Sequence, residues 1–464
     1  MAQSDPIKHV VVLMLENHSF DQMLGWAKIL YPKLDGVDPA NPRLNADYPN
    51  AKNTIQQCAM PNATIDLDPK HETVDVLAQI ENNCGGFVSN FARSYPQSTP
   101  AERTEIMGYY PRGSLPVLHA LAEKFTICDR WFSSMPGPTW PNRFFVHSGT
   151  CKGHVKMPAG VFITNEHCYD QNTIFDELCE KQIHWAIYHH GMPQALLLTH
   201  LWDKPERFHR MSCFFKDAAG PEEQFPQYAF IEPSYGGADE NDQHPPTGMA
   251  KGEYLIAEIY NALRSNEQLW NTTLFVVLYD EHGGFYDHVY PPKAVPPDNC
   301  VAEYAFDQYG VRVPALLISP WAKPGFTGAV LGDTAFDHTS LLKYLIEKWE
   351  LRPDRLGRRV EAATSFGPAL QGLGAPRTDV PPAFDLAKLA VPQSSIPLAT
   401  NEHQNALVSF AHFLEQKMAH VEELSATGYR ALKSLNGAAA QLDVAKDRFI
   451  LFFHHGQKGR LKPD

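Results

Sequence analysis

The chain has 464 residues, of which 44% are hydrophobic and 11% aromatic, so it can bury a large core, and intrinsic disorder is excluded as its main state. Acidic residues outnumber basic residues by 53 to 40, which gives a net charge of −13. Proteins that bind nucleic acids through phosphate contacts need a basic surface, so the charge argues against a nucleic acid partner. The length fits two ordinary domains or one large enzyme domain with an appendage.

The start of the chain shows neither an export signal nor a membrane anchor. Its apolar stretch from Val10 to Leu15 is too short for a signal peptide and has no basic flank, and no run of 18 apolar residues occurs. We therefore expect a soluble protein without a transmembrane segment, either cytoplasmic, or secreted as a mature form or by a non-standard route. The eight cysteines are spread singly, without a CxxC pair, so we expect free thiols.

Apolar runs typical of buried strands alternate with segments of helical periodicity. We predict strands at residues 7–15, 228–233, 274–279 and 311–321, and helices at residues 252–266 and 338–351. This alternation predicts an α/β fold, a three-layer α/β/α sandwich with a parallel sheet. Residues 30–70 and 290–310 are rich in proline, asparagine and aspartate, and we expect them to form surface excursions.

The C-terminal part of the chain has a different character. Residues 352–400 are rich in proline and glycine, and an amphipathic helix is predicted after them. Such a helix can lie on a membrane surface, but this one has mixed charges and no basic face. We expect a catalytic domain at residues 1–390 and a helical extension at residues 391–464 that packs on it. The apolar face of the predicted helix consists of Leu407, Phe410, Phe413, Leu414 and Met418.

Acidic side chains follow two of the predicted strands. Glu16 and Asn17 follow the first strand, and Asp280 and Glu281 follow the third, just before two glycines. Functional groups of α/β proteins gather at the carboxyl ends of the strands. Adjacent acids repel each other unless a cation lies between them, and carboxylate and carboxamide oxygens are good ligands for divalent cations. For the first pair, a turn in which Asn17 or Ser19 caps a helix is the alternative.

A proline-rich turn at residues 133–145 contains Thr139, Asn142 and Arg143. A hydroxyl held on such a turn can act as a nucleophile when a metal or a base lowers its pKa, whereas a purely structural turn is the alternative. The chain contains no GxSxG motif, which argues against a serine hydrolase of the α/β-hydrolase type. His71 and His244 lie in polar loops beside acids, where an imidazole can bind phosphate oxygens or protonate a leaving group.

Seven sequence blocks, taken in order, point to one family. The blocks are ENHSFDQMLG, DPKH, PGPTWPNR, NDQHP, YDEHGGFYDHV, GVRVPALLISPW and FDHTS. From about residue 7 to about residue 351, the chain resembles the phosphoesterase family of bacterial and plant non-specific phospholipases C and related acid phosphatases. The resemblance implies an alkaline-phosphatase-like α/β/α fold.

The resemblance also implies a set of site residues. It implies one divalent metal cation, with Ca²⁺, Mg²⁺, Mn²⁺ and Zn²⁺ not distinguished, and Thr139 as the nucleophile that forms a phosphothreonine intermediate. Asp21 and Asp287 would orient the groups around the cation. The implied metal ligands are Glu16, Asn17, Thr139, Asp280 and Glu281. The implied catalytic or substrate-binding residues are Thr139, Asn17, His71, His244 and His209, with His189 and His190 as alternatives to His209.

The implied activity is that of a phospholipase C. Such an enzyme cleaves glycerophospholipids, for example phosphatidylcholine at a membrane surface, to diacylglycerol and a phosphorylated head group. Thr139 and the Asp-Glu pair favour this branch, because the acid phosphatases of the family tend to have Ser and a second Asp at these positions. The alternatives are an acid phosphatase using the same site and a non-catalytic lipid- or phosphate-binding protein.

For a lipid substrate, we expect an open site mouth flanked by aromatic side chains. The aromatic residues near the motifs are Trp140, Phe144, Tyr235, Phe285 and Tyr286.

Overall fold

The structure is a computed structural model that describes residues 5–50, 52–60, 67–158, 169–237, 239–300, 304–389 and 401–419. Its strands are β1 (His9–Leu15), β2 (Leu44–Ala46), β3 (Thr54–Gln56), β4 (Cys58–Ala59), β5 (Gly108–Tyr109), β6 (Thr126–Ile127), β7 (Trp185–His189), β8 (Phe208–Arg210), β9 (Tyr228–Glu232), β10 (Thr273–Tyr279), β11 (Ala315–Ile318) and β12 (Gly325–Phe326).

The α-helices are α1 (Phe20–Leu24), α2 (Thr73–Cys84), α3 (Phe87–Ser94), α4 (Pro100–Glu105), α5 (Pro116–Ala122), α6 (Thr139–Ser148), α7 (Ile174–Glu180), α8 (Met211–Ala218), α9 (Ala250–Ser265), α10 (Glu267–Trp270), α11 (Gly328–Leu331), α12 (His338–Trp349), α13 (Arg358–Ala362) and α14 (Glu402–Ala419). The predicted strands and helices are present, with ends shifted by a few residues.

One eight-stranded sheet organises the molecule, in the order β12-β6-β11-β10-β1-β9-β7-β8. Strand β11 runs antiparallel to both of its neighbours, whereas the other strands share one direction. The sheet of the α/β/α sandwich is therefore mixed rather than entirely parallel, because of β11. The physical reason is the connection from β10: no described helix crosses back between Tyr279 and Ala315, so the chain enters β11 from the same edge at which it left β10.

Helices cover both faces of the sheet, which confirms the predicted α/β sandwich. Side chains alternate between the two faces of a strand, so Trp185 and Tyr188 of β7 point to opposite sides. Trp185 packs on Phe175 of α7, with ring centroids 4.6 Å apart, and Tyr188 packs on Phe214 of α8 at 5.3 Å. Helix α6 contacts α7 and α12 in one layer, and α9 contacts α5, α8 and α10 in the other.

Strand β1 is central because both of its edges are paired and both of its faces are buried. All seven of its residues are buried, and Leu13 lies opposite Val277 of β10 and Ile231 of β9. The continuous apolar run in the sequence follows from this position, since neither face meets water. Strands β6, β8 and β12 have only two or three residues, too few to show a periodicity in the sequence.

Helix α14 packs on the same hydrophobic core as the sheet. Leu407, Phe410 and Phe413 belong to that core, and the Phe410 ring lies 6.5 Å from that of Trp140. The described side chains of α14 include neither Leu414 nor Met418, and residues 390–400 and 420–464, with the predicted domain boundary, lie outside the described residues.

Two further expectations concern the cysteines and the membrane. The seven described cysteines are free, as expected from their spacing. Within the described part of the chain, every helix is too short or too polar to cross a bilayer.

We predict that Leu13→Ala lowers the free energy of unfolding by about 2–5 kcal/mol, because it leaves a cavity in the centre of the sheet. Urea denaturation measures this loss. Val330→Ala is the matched control, since Val330 is 61% exposed and its substitution leaves no cavity. An equal effect in both variants would contradict the central role of β1.

Candidate active site

The two acidic strand ends that the sequence predicts lie side by side. Leu15 of β1 pairs with Tyr279 of β10, so the residues that follow them, Glu16 and Asp280, emerge at the same edge of the sheet. The backbone N–H of Asn17 donates to Oδ1 of Asp280 at 3.1 Å. Glu16, Asn17 and Asp280 are completely buried, so the two carboxyls lie in a medium of low dielectric constant.

Arg143 of α6 links these two acids. Its Nη2 lies 2.5 Å from Oε1 of Glu16, and its Nε lies 3.3 Å from Oδ2 of Asp280. Burial raises the pKa of Glu16, but Arg143 and His403 outweigh burial and hold this pKa below its ordinary range. Burial and the charge of Glu16 raise the pKa of Asp280 well above its ordinary value, against the attraction of Arg143. The two carboxyls therefore differ strongly in acidity.

Thr139 is the first residue of α6, and its hydroxyl points at the end of β1. Its Oγ1 lies 3.4 Å from Oε2 of Glu16 and 3.5 Å from Oδ1 of Asn17. Asn142 stabilises the preceding turn, because its Nδ2 donates to the Gly137 carbonyl at 2.9 Å and its Oδ1 accepts from the N–H of Met135 at 3.0 Å. The predicted rigid turn is thus present, and the structure shows what makes it rigid.

His71 lies on the other side of Asn17. Its Nδ1 donates to the Pro69 carbonyl at 2.7 Å, and its Nε2 lies 3.4 Å from Nδ2 of Asn17 and 3.7 Å from Oε1 of Glu281. Burial lowers the pKa of His71, but Glu281 and Asp68 more than compensate and raise it to about 9. His71 is therefore a cation at neutral pH.

His244 follows β9, next to His71. The two ring centroids are 5.9 Å apart. Nδ1 of His244 lies 2.6 Å from the Pro245 carbonyl and donates to it, so the neutral ring keeps its lone pair on Nε2. Nε2 is buried and has no hydrogen-bond partner among the described residues. His244 thus offers a free proton acceptor beside a histidine that carries a proton.

His403 of α14 is a site residue that the sequence analysis missed. Its Nδ1 lies 3.3 Å from Oε2 of Glu16, and its Nε2 contacts the side-chain amide of Gln194. His403 lies outside every one of the seven sequence blocks. The available signal was its spacing, since it precedes Leu407 by four residues and Phe410 by seven and therefore shares the buried face of the helix.

The structure does not bring all of the predicted residues together. His209 lies on the edge strand β8, paired in register with Tyr188 of β7. Strands β7 and β9 lie between β8 and β1, so β8 is three interstrand spacings, about 14 Å, from β1. His189 lies at the carboxyl end of β7, where its Nδ1 contacts the Gly191 carbonyl. His190 contacts the side chain of Asn241. His209 therefore lies outside the group around Thr139.

The predicted metal ligands form a chain of contacts rather than a tight cage of acids. Asp280 contacts Asn17 and Arg143, and Glu281 contacts His71, so the two acids are linked to Glu16 and Thr139 through other residues. Among the described residues, Asp21, Asp287 and His288 form a trio in which the carboxylate and imidazole ligand atoms lie within 4.8 Å of one another. Glu16, Asp280 and Glu281 do not form such a trio.

The predicted donor set nevertheless fits a divalent cation. Oε1 of Glu281 is buried and accepts no hydrogen bond from a described residue, so one carboxylate oxygen lacks the partner that burial normally requires. Oxygens of Glu16, Asn17 and Thr139 face one another nearby. Carboxylate, carboxamide and hydroxyl oxygens are the ligands that hard cations prefer.

The expected open mouth with aromatic walls is absent from the described structure, because the predicted rings are buried instead. Trp140 packs toward Phe410 of α14, and Tyr235 lies against the His403 ring, with centroids 4.8 Å apart. His71 is the most exposed of the grouped side chains, at 7%. The rings at Trp140, Phe144, Tyr235, Phe285 and Tyr286 are thus core residues that support the site from behind.

Comparison with known proteins identifies the family of this chain. The chain belongs to the Phosphoesterase family, whose model matches residues 7–352. It is 34% identical to "Non-specific phospholipase C3" of Arabidopsis thaliana over an alignment that covers 100% of this chain and 91% of that protein. It is 36% identical to "Non-specific phospholipase C6" of the same plant, over 88% and 81%. The resemblance inferred from the seven blocks is confirmed.

More distant proteins also match. The chain is 28% identical to "Hemolytic phospholipase C" of Pseudomonas aeruginosa, with 73% of this chain and 52% of that protein covered. Among solved structures, the lipoteichoic acid synthase LtaP from Listeria monocytogenes is 10% identical with a TM-score of 0.38, covering 77% of this chain and 76% of that one. A protein in the alkaline phosphatase superfamily from Vibrio parahaemolyticus is 13% identical with a TM-score of 0.32, covering 55% and 66%.

We predict that the metal-free protein loses stability as the pH rises from about 6.5 to 9. The folded-state pKa of His71, about 9, lies above the value near 6.5 of an unfolded chain, so the stabilisation is complete below pH 6.5 and disappears through pH 9. The loss is at most about 3 kcal/mol. Urea denaturation in EDTA measures it, and His71→Gln should flatten this part of the pH profile. An unchanged slope in the variant would assign the proton to another group.

Proposed function

We propose that this protein is a metal-dependent phospholipase C that hydrolyses glycerophospholipids, such as phosphatidylcholine, to diacylglycerol and a phosphorylated head group. The observation that carries the proposal is the Thr139 hydroxyl, which faces Glu16 and Asn17 at the carboxyl edge of the sheet. The names of the relatives that are 34% and 36% identical over most of the chain support the substrate class.

Thr139 is proposed to be the nucleophile. Glu16, Asn17, Asp280 and Glu281 would hold a divalent cation, which would supply positive charge beside the Thr139 hydroxyl and a phosphoryl oxygen. The Oγ1 proton passes to Oε2 of Glu16, the acceptor 3.4 Å away, and returns to Thr139 when the ester is later hydrolysed. Oγ1 attacks phosphorus in line with the bond to the glycerol oxygen. That bond breaks, diacylglycerol leaves as the alcohol, and the head-group phosphate remains on Thr139 as a phosphothreonine ester. The N-terminal end of α6, where Thr139 lies, favours the negative charge of the phosphate.

Two histidines are proposed to move the protons. His71, whose pKa is raised by Glu281 and Asp68, lies beside Asn17, so its protonated ring can bind a phosphoryl oxygen and donate the Nε2 proton to the departing glycerol oxygen. His244 has a free Nε2 and can take a proton from the water that attacks the phosphothreonine ester. Hydrolysis of this ester releases the phosphorylated head group and regenerates the Thr139 hydroxyl.

The charge of the site favours a diester over a monoester. Arg143, the guanidinium beside Thr139, is already bound to Glu16 and Asp280 and does not offer its charge to a substrate. A phosphomonoester carries a second negative charge, which would meet the carboxylates of Glu16 and Glu281 without a matching cation from Arg143. A phospholipid diester carries one charge at its phosphate. This balance distinguishes the proposed activity from that of an acid phosphatase.

We predict that Thr139→Ala lowers kcat for phosphatidylcholine by at least about 10³-fold, because the variant has no nucleophile. Its melting temperature should stay close to that of the unsubstituted protein, since the hydroxyl makes only contacts of 3.4 and 3.5 Å. Thr139→Ser is the matched control and should keep measurable turnover. Near-normal activity of Thr139→Ala would assign the attack to water rather than to this side chain.

We predict a higher kcat/KM for phosphatidylcholine in mixed micelles than for p-nitrophenyl phosphate, both measured with added divalent cation. The reason is the second charge of the monoester in an acidic site. The opposite ranking would indicate an acid phosphatase. Binding of phosphatidylcholine without turnover of either substrate would indicate a non-catalytic lipid-binding protein.

A further inference from the structure

The two loops that carry the proposed metal ligands are joined by a ladder of hydrogen bonds. The loops are residues 16–21, after β1, and residues 280–288, after β10. The ladder runs along both loops from the end near the nucleophile to the far end. Its bonds are Asn17 N–H to Asp280 Oδ1 at 3.1 Å, His18 N–H to the Glu281 carbonyl at 3.0 Å, Ser19 Oγ to the Tyr286 carbonyl at 2.7 Å and Asp21 N–H to Asp287 Oδ2 at 3.0 Å.

Arg312 holds the far end of this ladder. Its Nε donates to Oδ1 of Asp287 at 2.9 Å, and its Nη2 donates to Oδ1 of Asp21 at 3.0 Å, so one rigid guanidinium spans both loops. Its Nη1 donates to the carbonyls of Asp35 and Asp129 at 2.7 and 2.9 Å. The side chain is completely buried, and four of the five guanidinium N–H groups therefore have partners in the protein.

At this end, the two cationic side chains of Arg312 and His288 face the three carboxylates of Asp21, Asp35 and Asp287. His288 donates from Nδ1 to Oδ2 of Asp21 at 2.7 Å and from Nε2 to Oδ1 of Asp35 at 2.8 Å. Arg312 and His288 thus supply two positive charges to the carboxylates of Asp21 and Asp287. Although Asp21, Asp287 and His288 are close enough to hold a metal, each carboxylate oxygen of the two aspartates already accepts a hydrogen bond.

We propose that Arg312 is a positioning residue that sets the spacing between the two ligand-bearing loops. It lies at the opposite end of the ladder from Asn17 and Asp280 and acts on them only through the loops. The glycine at position 283 shows how tight this spacing is, because a Cβ there would lie 2.3 Å from the carbonyl oxygen of Asn17. A small change at Arg312 is therefore transmitted to the proposed ligands. This inference rests on the proposed function for its metal, but not for the ladder itself.

The test compares Arg312→Lys with Arg359→Lys. Arg359 is a matched control because it is equally buried and donates to the carbonyls of Ser134 and Phe306, outside both loops. Lysine keeps the charge but cannot bind two carboxylates with a planar fork. Hydrogen–deuterium exchange measures the protection of the amides in residues 16–21 and 280–288, and calorimetric titration with Mn²⁺ measures the affinity of the metal-free protein.

For Arg312→Lys, we expect faster exchange in both loops and an affinity for Mn²⁺ that is about 10–100-fold weaker, the usual size of the effect of residues that orient metal ligands. Arg359→Lys should change neither quantity. Unchanged exchange in the two loops would overturn the positioning role, and faster exchange with an unchanged Mn²⁺ affinity would overturn the link from loop spacing to the ligands.

A second variant and a separate outcome complete the test. If Arg312→Lys does not fold, Asp287→Asn is used instead, because it keeps the shape of the side chain and removes one partner of the ion pair. It should also give faster exchange in both loops and a weaker affinity for Mn²⁺, with smaller changes than those expected for Arg312→Lys. An unsubstituted protein that binds no Mn²⁺ would contradict the metal step of the proposed function. In that case the exchange data alone decide the positioning role of Arg312.

Discussion

The site depends on one buried ion pair network centred on Arg143. Two carboxylates at the ends of adjacent strands, both without solvent contact, repel each other strongly in a medium of low dielectric constant. The guanidinium of Arg143 contacts both carboxyls, and its positive charge offsets their repulsion. Arg143 follows Thr139 by four residues on α6, so the two share one face of the helix. The contact that neutralises the acids therefore also sets the distance from the acids to the hydroxyl.

Much of this architecture could be predicted from local sequence signals. The apolar runs of β1 and β10 predict buried strands because both faces of each strand are covered, and the abrupt change to Glu16 and Asp280 marks their carboxyl ends. The proline-rich turn before Thr139 is visible for the same reason, since its rigidity resides in consecutive residues. Such local patterns predict the conformation of a short segment without information about the rest of the chain.

The parts that could not be predicted depend on contacts between distant segments. His403 lies in the site because α14 packs beside Glu16, and the sequence around His403 gives no indication of this contact. The reversed direction of β11 follows from the path of the preceding loop rather than from the composition of the strand. His209 is implied only by the family resemblance, and the three-residue strand that carries it lies at the edge of the sheet. The buried aromatic rings illustrate the same limit, because a ring near a motif can support it from behind.

The position of His403 has a consequence for the order in which the site is completed during synthesis. Glu16, Asn17, His71 and Thr139 leave the ribosome early, and a growing chain can begin to fold from its N-terminal part. The imidazole that contacts Glu16 is encoded after every strand of the sheet. Until that late segment emerges, the Glu16 carboxylate is without one of the three groups, Arg143, His403 and His244, that hold its pKa down. The electrostatic environment of Glu16 thus depends partly on a segment that is translated after the whole described sheet.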